Sequence, residues 1–219
     1  RPTALTVLTL GTLLDRTAVA LNMSMGADKA WQTTFAAYKG REAPAESGDG
    51  LSNDARAKRQ LLAGIERLEQ STSTSRQDAN SVETAKLLSE AIDNFDQALM
   101  FEPDNAFTQL MLANAAFNLS KHRDLEANTK RAFDALTAAY ENREKATNPA
   151  VREEIMGDYA LLVQKDFRKA AGHYEKLASD PQYSESRFAL RAHWMLAGLY
   201  MGDWGVNEYE AGLSKDKLG

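Results

Sequence analysis

The chain has 219 residues, with 26 lysines and arginines against 31 aspartates and glutamates, a formal net charge of −5 at pH 7 and no cysteine. The lack of cysteine excludes disulfides, thiolate metal sites and cysteine nucleophiles in this chain, and the acidic balance argues against a protein that mainly grips phosphate backbones. Hydrophobic residues make up 43% and charged residues 26%, which is typical of a globular chain with a hydrophobic core.

The first segment, 1–24, contains an uncharged apolar run over 3–14 that ends at Asp15 and Arg16. This run is shorter than the roughly 17–25 residues that a membrane-spanning helix needs. Two interpretations stay open: a secretory signal with the Ala-Val-Ala at 18–20 as its cleavage site, and a helix that packs against the core or a partner. The charges at Asp15 and Arg16 favour the packed helix.

Two further features organise the N-terminal part of the chain. Three aromatic residues share one face of a helical stretch over 28–38. Residues 41–54 are rich in Gly, Ser, Asp and Pro, a composition typical of a linker. We therefore expect an apolar helical extension over 1–40 and a linker over 41–54.

From residue 55 almost to the end, apolar residues recur at spacings of three and four, and no segment alternates as a strand does. The sequence therefore predicts an all-α fold, with a polar loop over 70–80 and a helix stop and cap at 103–105. The expected core stripes are Leu61/Leu62/Ile65/Leu68, Leu88/Ile92/Phe95/Leu99, Leu110/Ala113/Phe117, Phe133/Leu136/Tyr140, Ile155/Tyr159/Leu162, Phe167/Ala170/Tyr174/Leu177 and Leu190/Trp194/Leu199.

One helical spacing occurs twice. Ala91, Phe95, Ala98 and Pro103 follow the pattern A-x3-F-x2-A-x4-P, and 170–181 repeats it with substitutions and one residue fewer. Small residues let two antiparallel helices approach closely, the aromatic ring one turn away fills the space between them, and proline ends the pair. The pattern therefore predicts helical hairpins.

These matches, together with first-helix and turn sequences in register, resemble the tetratricopeptide-repeat proteins over about 55–205. The resemblance implies a right-handed α-solenoid of three to four antiparallel helix pairs, with 206–219 as a C-terminal cap or tail. The middle pair departs from the pattern, since 46 residues separate Pro103 from Pro149 but only 32 separate Pro149 from Pro181. The L-G-x2-Y-like sequences lie at 112–116, 156–160 and 196–200, and the turn-like sequences at 165–167 and 202–204.

No residue set in the sequence predicts catalysis, a metal or a cofactor. The three histidines, His122, His173 and His193, are scattered and match no metal-ligand spacing. Glu154 and Asp158 lie four apart on one helix face, where paired carboxylates could act as acid and base, but a solvated or groove-lining acidic patch is the favoured interpretation. Phosphate-binding glycine loops and nucleophile motifs do not occur.

The resemblance also implies a concave groove, because the first helix of each tetratricopeptide pair lines a surface that accepts a peptide or a partner helix. An exposed Phe, Met and Trp set beside asparagines and acids suits a partner with apolar anchors and a basic character. The alternative is that Phe107, Met111 and Trp194 pack inside the protein. The matching positions are Phe107, Met111, Asn114, Asn118, Glu154, Asp158, Arg191 and Trp194.

We therefore expect a non-catalytic scaffold or adaptor that binds a protein partner or assembles a multiprotein complex, with a membrane-protein contact through 1–24 and no nucleic acid. The alternative is an α-helical protein that holds a small molecule or lipid for a transport system. An open groove favours the first, and a sealed apolar cavity lined by Phe107, Met111 and Trp194 favours the second. The expected location is periplasmic or exported and membrane-associated in a bacterium, with a cytoplasmic location as the alternative. The oligomeric state stays open.

Overall fold

The computed structural model describes residues 52–77, 82–184 and 186–201, and within these ranges every regular element is helical. The all-α prediction is therefore confirmed for this part of the chain. Predictions for the extension over 1–40, most of the linker, the turn at 202–204 and the tail over 206–219 lie outside the described residues. The seven α-helices of the described ranges are α1 (Asn53–Gln77), α2 (Val82–Phe101), α3 (Ala106–Ser120), α4 (Leu125–Glu141), α5 (Pro149–Tyr159), α6 (Phe167–Ser179) and α7 (Arg187–Met201).

The described helices divide into two compact units. The first contains α1 to α5 and a π-helical turn, Ala160–Gln164, that continues α5. The second contains α6 and α7. Short 3₁₀ turns follow α4 at Arg143–Lys145 and α6 at Pro181–Tyr183.

Side-chain caps fix where three of the helices begin. The Asn105 carboxamide oxygen accepts the Thr108 amide hydrogen bond at 3.0 Å, so the predicted stop and cap at 103–105 is confirmed. Asn148 caps α5 and Asp166 caps α6 in the same way, each at 2.9 Å. Each cap satisfies one amide that the first helical turn leaves without a partner.

The predicted polar loop over 70–80 is wrong for its described part, because α1 continues unbroken to Gln77. The hydroxyl groups of this segment find acceptors inside the helix: Ser71 donates to the Leu68 carbonyl at 2.7 Å, and Thr74 donates to the Gln70 carbonyl at 2.9 Å. Ser71 is also buried, at 3% exposure. Serine and threonine lower helix propensity only slightly, and packing on a neighbouring helix overrides that preference.

The α1–α2 hairpin is held by the small and large residues of the repeated pattern. Ala91, Phe95 and Ala98 are all buried, at 0–1% exposure. The Phe95 ring lies directly against Gly64 of α1, where an added Cβ would come within 2.5 Å of Phe95 Cε1. Glycine at this position is therefore what allows the ring to sit between the two helices.

The α3–α4 hairpin is built differently, because α3 is buried around most of its circumference. Twelve of its fifteen residues are buried, including Leu110, Met111 and Ala116. α3 packs against both α2 and α4, and it also contacts α1. An apolar helix with no polar face is stable only with neighbours on several sides, which these helices supply.

Side-chain contacts also join α2 to α4 and to the turn that precedes α4. Arg123 donates to Ser89 Oγ, and eight residues further along Arg131 pairs with Asp96. From the first contact to the second, the residue number rises on both sides, from 89 to 96 and from 123 to 131, so α2 and α4 run parallel. The longer middle pair is also explained: α4 extends to Glu141 and the 3₁₀ turn follows it before Pro149.

Within the second unit, α6 packs on α7. Tyr174 and Leu177 form the buried face of α6, as predicted. Tyr200 of α7 donates its hydroxyl proton to Glu175 at 2.7 Å. The predicted α7 stripe is wrong at Leu190 and Trp194, which are 42% and 53% exposed. Leu199 is buried, as predicted, and the other buried apolar residues of α7 are Phe188, Ala189, Ala192, Met195 and Tyr200.

Candidate functional site

Two of the predicted groove residues belong to the core. Phe107 is 6% exposed and Met111 is 1% exposed, one turn apart on α3. The prediction that they form an exposed apolar set is wrong, since α3 is enclosed by its neighbours. Asn114 and Asn118, on the same helix, are half-buried.

The paired carboxylates of α5 are also buried. Glu154 is 1% exposed and Asp158 is 2% exposed, so the expectation of a solvated acidic patch is wrong. Both side chains have interaction partners. Such partners are expected for two buried carboxylates on adjacent turns, because burying an ionised group without a partner is costly.

Arg191 and Trp194 lie on α7 in the second unit. Arg191 is half-buried, whereas the Trp194 side chain is exposed to solvent. Exposure of Trp194 fits the expected surface position. Leu190, one turn before Trp194, is exposed beside it on the same helix.

The described ranges contain no group of three or more His, Asp and Glu residues that could hold a metal ion. His122 and His173 are half-buried and His193 is exposed. No helix in the described ranges is both long and apolar enough to cross a membrane. The predicted membrane contact concerns 1–24, outside the described residues.

The structure reveals a row of side chains on one side of α4 that the sequence analysis did not single out as a surface, because it assigned Phe133 to a core stripe, whereas Phe133 is only half-buried. Leu125, Thr129 and Phe133 lie at successive turns, and Leu125 is 69% exposed. We call Leu125, Thr129 and Phe133 the α4 face. Its rim consists of Glu126, Lys130 and Asp134, with Lys130 Nζ 2.5 Å from Asp134 Oδ2. The i, i+4, i+8 spacing of the row is the signal in the sequence that could have found it.

A second feature is a cleft of about 500 Å³ between the first half of α2 and the turn that joins α3 to α4. Its charged lining comes from Lys86, Glu90 and Asp93 on α2, and from Lys121 and Arg123 in the turn. We call it the turn cleft. Three consecutive residues, Lys121, His122 and Arg123, mark it in the sequence.

The chain was compared with family models, curated proteins and solved structures. None of the three comparisons finds a match.

Proposed function

We propose that the chain is a non-catalytic interaction scaffold whose helical hairpins stack as a tetratricopeptide-like, right-handed α-solenoid. Three features of the first unit support this arrangement. Consecutive helices pack on one another from α1 to α5. α2 runs parallel to α4, with one contact from Arg123 in the preceding turn to Ser89 and one from Arg131 on α4 to Asp96, and the small-large pattern forms the α1–α2 contact.

The proposed partner binding rests on the α4 face. At about 100° per residue, Phe133 lies roughly 160° around α4 from Arg131, which contacts α2. One flank of α4 is therefore packed on a helix, while the other carries the exposed Leu125 and the half-buried Thr129 and Phe133. A row of side chains at four-residue spacing with an apolar residue at each end is a surface that can receive a neighbouring helix in ridges-into-grooves packing.

The rim indicates the chemistry of the occupant. Lys130 is engaged by Asp134, while Glu126 forms no ion pair with any residue in the described ranges. The rim therefore carries a net negative charge beside an apolar row. We propose that the occupant is an amphipathic helix of a partner protein, with two apolar anchors one turn or two apart and a basic residue that faces Glu126.

The small-molecule alternative has less support. The expected cavity was lined by Phe107, Met111 and Trp194. Phe107 and Met111 are instead buried against the helices that surround α3. The α4 face is open to solvent and shallow. Open apolar surfaces suit protein partners, whereas drug-sized ligands favour enclosed cavities.

The test compares two exposed apolar residues. The chain carrying Leu125→Asp and the chain carrying Met100→Asp are each purified from the native source in mild detergent, and the stoichiometric partner is identified by mass spectrometry. Met100 is 80% exposed on α2 and does not line the α4 face, so it gives the matched control. We expect at least about tenfold loss of the partner with Leu125→Asp and retention with Met100→Asp.

Circular dichroism of both variants checks that the helices remain intact. Equal partner retention by the two variants contradicts a role for the α4 face. Recovery of a lone monomer that carries a small molecule contradicts the scaffold and favours the transport alternative.

A further inference from the structure

The turn cleft brings together cations from two separate parts of the chain. Lys86 and Ser89 lie one turn apart on α2, and Lys121 and Arg123 come from the α3–α4 turn. Arg123 Nη2 donates to Ser89 Oγ at 2.5 Å, which holds the guanidinium over the cleft. His122 completes the lining from the turn and is half-buried.

The two cations of the turn are not neutralised by carboxylates. Lys121 Nζ donates to Asn118 Oδ1 at 3.2 Å and lies 5.3 Å from the centre of the Phe117 ring. Neither Lys121 nor Arg123 forms an ion pair with any residue in the part of the chain that the structure describes. Burial lowers the pKa of the Lys121 ammonium, since it loses hydration that no carboxylate replaces.

The acids that line the cleft are fewer than the cations. Glu90 is already engaged by Arg67 Nε at 3.0 Å and by Lys86 Nζ at 3.9 Å. Asp93 is exposed one turn beyond Ser89. Among the lysine, arginine, aspartate and glutamate side chains that line the cleft, three cations accompany two carboxylates, so these side chains carry a net positive charge in a chain whose formal net charge is −5.

We propose that the turn cleft binds a phosphate-type oxyanion, held by Arg123 and Lys121. The planar guanidinium of Arg123 offers two parallel N–H groups to two oxygens, and Lys121 adds a point charge on a third. The site goes beyond the proposed scaffold function, because it lies between α2 and the turn and not on the α4 face. Free phosphate and the phosphate group of a small phosphomonoester share this chemistry.

The experiment titrates the full ¹⁵N-labelled chain with inorganic phosphate at constant ionic strength and follows its amide resonances. We expect saturable shifts at Lys121, His122 and Arg123, which a titration with chloride does not produce. A parallel titration with glucose 6-phosphate, and with glucose as its control, distinguishes the two sources. Tighter binding of the phosphomonoester indicates a metabolite site, and equal or weaker binding indicates a site for free phosphate. Shifts that grow linearly without saturation overturn the proposal.

Charge-matched variants locate the site. We expect Lys121→Gln and Arg123→Gln each to raise the half-saturation concentration about tenfold, since each removes a charge-assisted contact. Lys130→Gln removes the same charge on the far side of α4 and leaves that concentration within about twofold. Equal weakening by all three variants overturns the proposal.

Arg123→Gln also removes the hydrogen bond to Ser89. Arg123→Lys keeps the charge and loses the guanidinium fork, so we expect an intermediate affinity. If Arg123→Gln alters the fold, the test rests on Lys121→Gln. Among the described residues, the Lys121 side chain hydrogen-bonds only to Asn118, three residues earlier in the chain.

Discussion

The two hairpins of the first unit bury their helices in different ways. In α1–α2, each helix buries one stripe and leaves the opposite side to solvent, with Gly64 and Phe95 at the point of closest contact. In α3–α4, α3 is enclosed on most sides, while the α4 face leaves Leu125 exposed and Phe133 half-buried. The contact within a hairpin follows from a local pattern of small and large residues. The burial of a helix's remaining sides depends on how many neighbours the fold places around it.

The largest expected effect separates a core residue from an exposed one in the second hairpin. We expect Met111→Ala to lower the free energy of unfolding by about 2–5 kcal/mol, because it leaves a cavity in α3's surroundings. Leu125→Ala, on the exposed α4 face, should change it by less than about 0.5 kcal/mol. Urea unfolding followed by circular dichroism measures both. Similar losses for the two variants would contradict the contrast between α3 and the α4 face.

The close approach in the first hairpin gives the next effect, with two helical glycines as a matched pair. Gly64→Ala forces a methyl group against the fully buried Phe95 ring, and the overpacking cost of about 1–3 kcal/mol outweighs the gain in helix propensity. At Gly172, in α6, an added Cβ meets nothing within 4 Å. Gly172→Ala should therefore stabilise by about 0.5–1 kcal/mol.

Thermal melts measure both variants: we expect the melting temperature to fall for Gly64→Ala and to rise for Gly172→Ala. A Gly64→Ala variant that melts at or above the parent temperature would show that α1 and α2 lie further apart than described.

A smaller effect is expected for the ion pair between the two hairpins, which joins Arg131 of α4 to Asp96 of α2. Arg131 and Asp96 are each more than 40% exposed, so we expect their ion pair to contribute less than about 1 kcal/mol. Asp96→Arg and Arg131→Asp should each destabilise, and the double exchange should recover most of the loss. A double-mutant cycle by urea unfolding measures the coupling. A coupling energy of zero between Arg131 and Asp96 would argue against their contact and so against a parallel arrangement of α2 and α4.

The smallest effect is confined to alkaline pH and concerns the α6–α7 contact. Burial, first, and then the Glu175 carboxylate raise the pKa of Tyr200 to about 12. The ordinary tyrosine pKa is roughly 10, so the unfolded chain loses this proton first. The stability that Tyr200 contributes is therefore complete below about pH 10 and is lost as the pH rises towards 12.

Melting temperatures of the parent and Tyr200→Phe between pH 9 and 12 measure this contribution. The difference between the two proteins should shrink across that window. A constant difference would mean that Tyr200 titrates normally and does not bond Glu175.

Much of the helical layout could be predicted from the sequence, and the errors have identifiable causes. The cap at Asn105 and the turn before Phe167 were found because capping chemistry is local. The segment after Gln70 was missed because polarity was taken to mean a loop, although hydroxyl groups can bond within a helix. On α7, Leu190 and Trp194 were assigned to the core although their neighbours Ala189 and Met195 are the buried residues, because an apolar residue stands next to each of them and spacing alone does not choose between the two.

The candidate site was less predictable. Phe107 and Met111 were assigned to a groove through the tetratricopeptide resemblance, yet the uninterrupted apolar sequence of α3 was itself a sign of complete burial. Arg123 was not singled out, because its place beside Ser89 depends on residues 34 positions apart. Leu125 was overlooked since a single exposed leucine carries no signal until its neighbours at 129 and 133 are known to share its surface.

By itself the sequence determined that this part of the chain is helical, where most helices begin and end, and which small and large residues meet within a hairpin. Those properties depend on hydrogen bonds and packing between residues close in the chain. Only the tertiary structure decided that α3 is enclosed, that Glu154 and Asp158 are buried, and that Leu125 and the turn cleft face solvent. Exposure is a property of all the neighbours of a residue at once, and distant segments supply those neighbours.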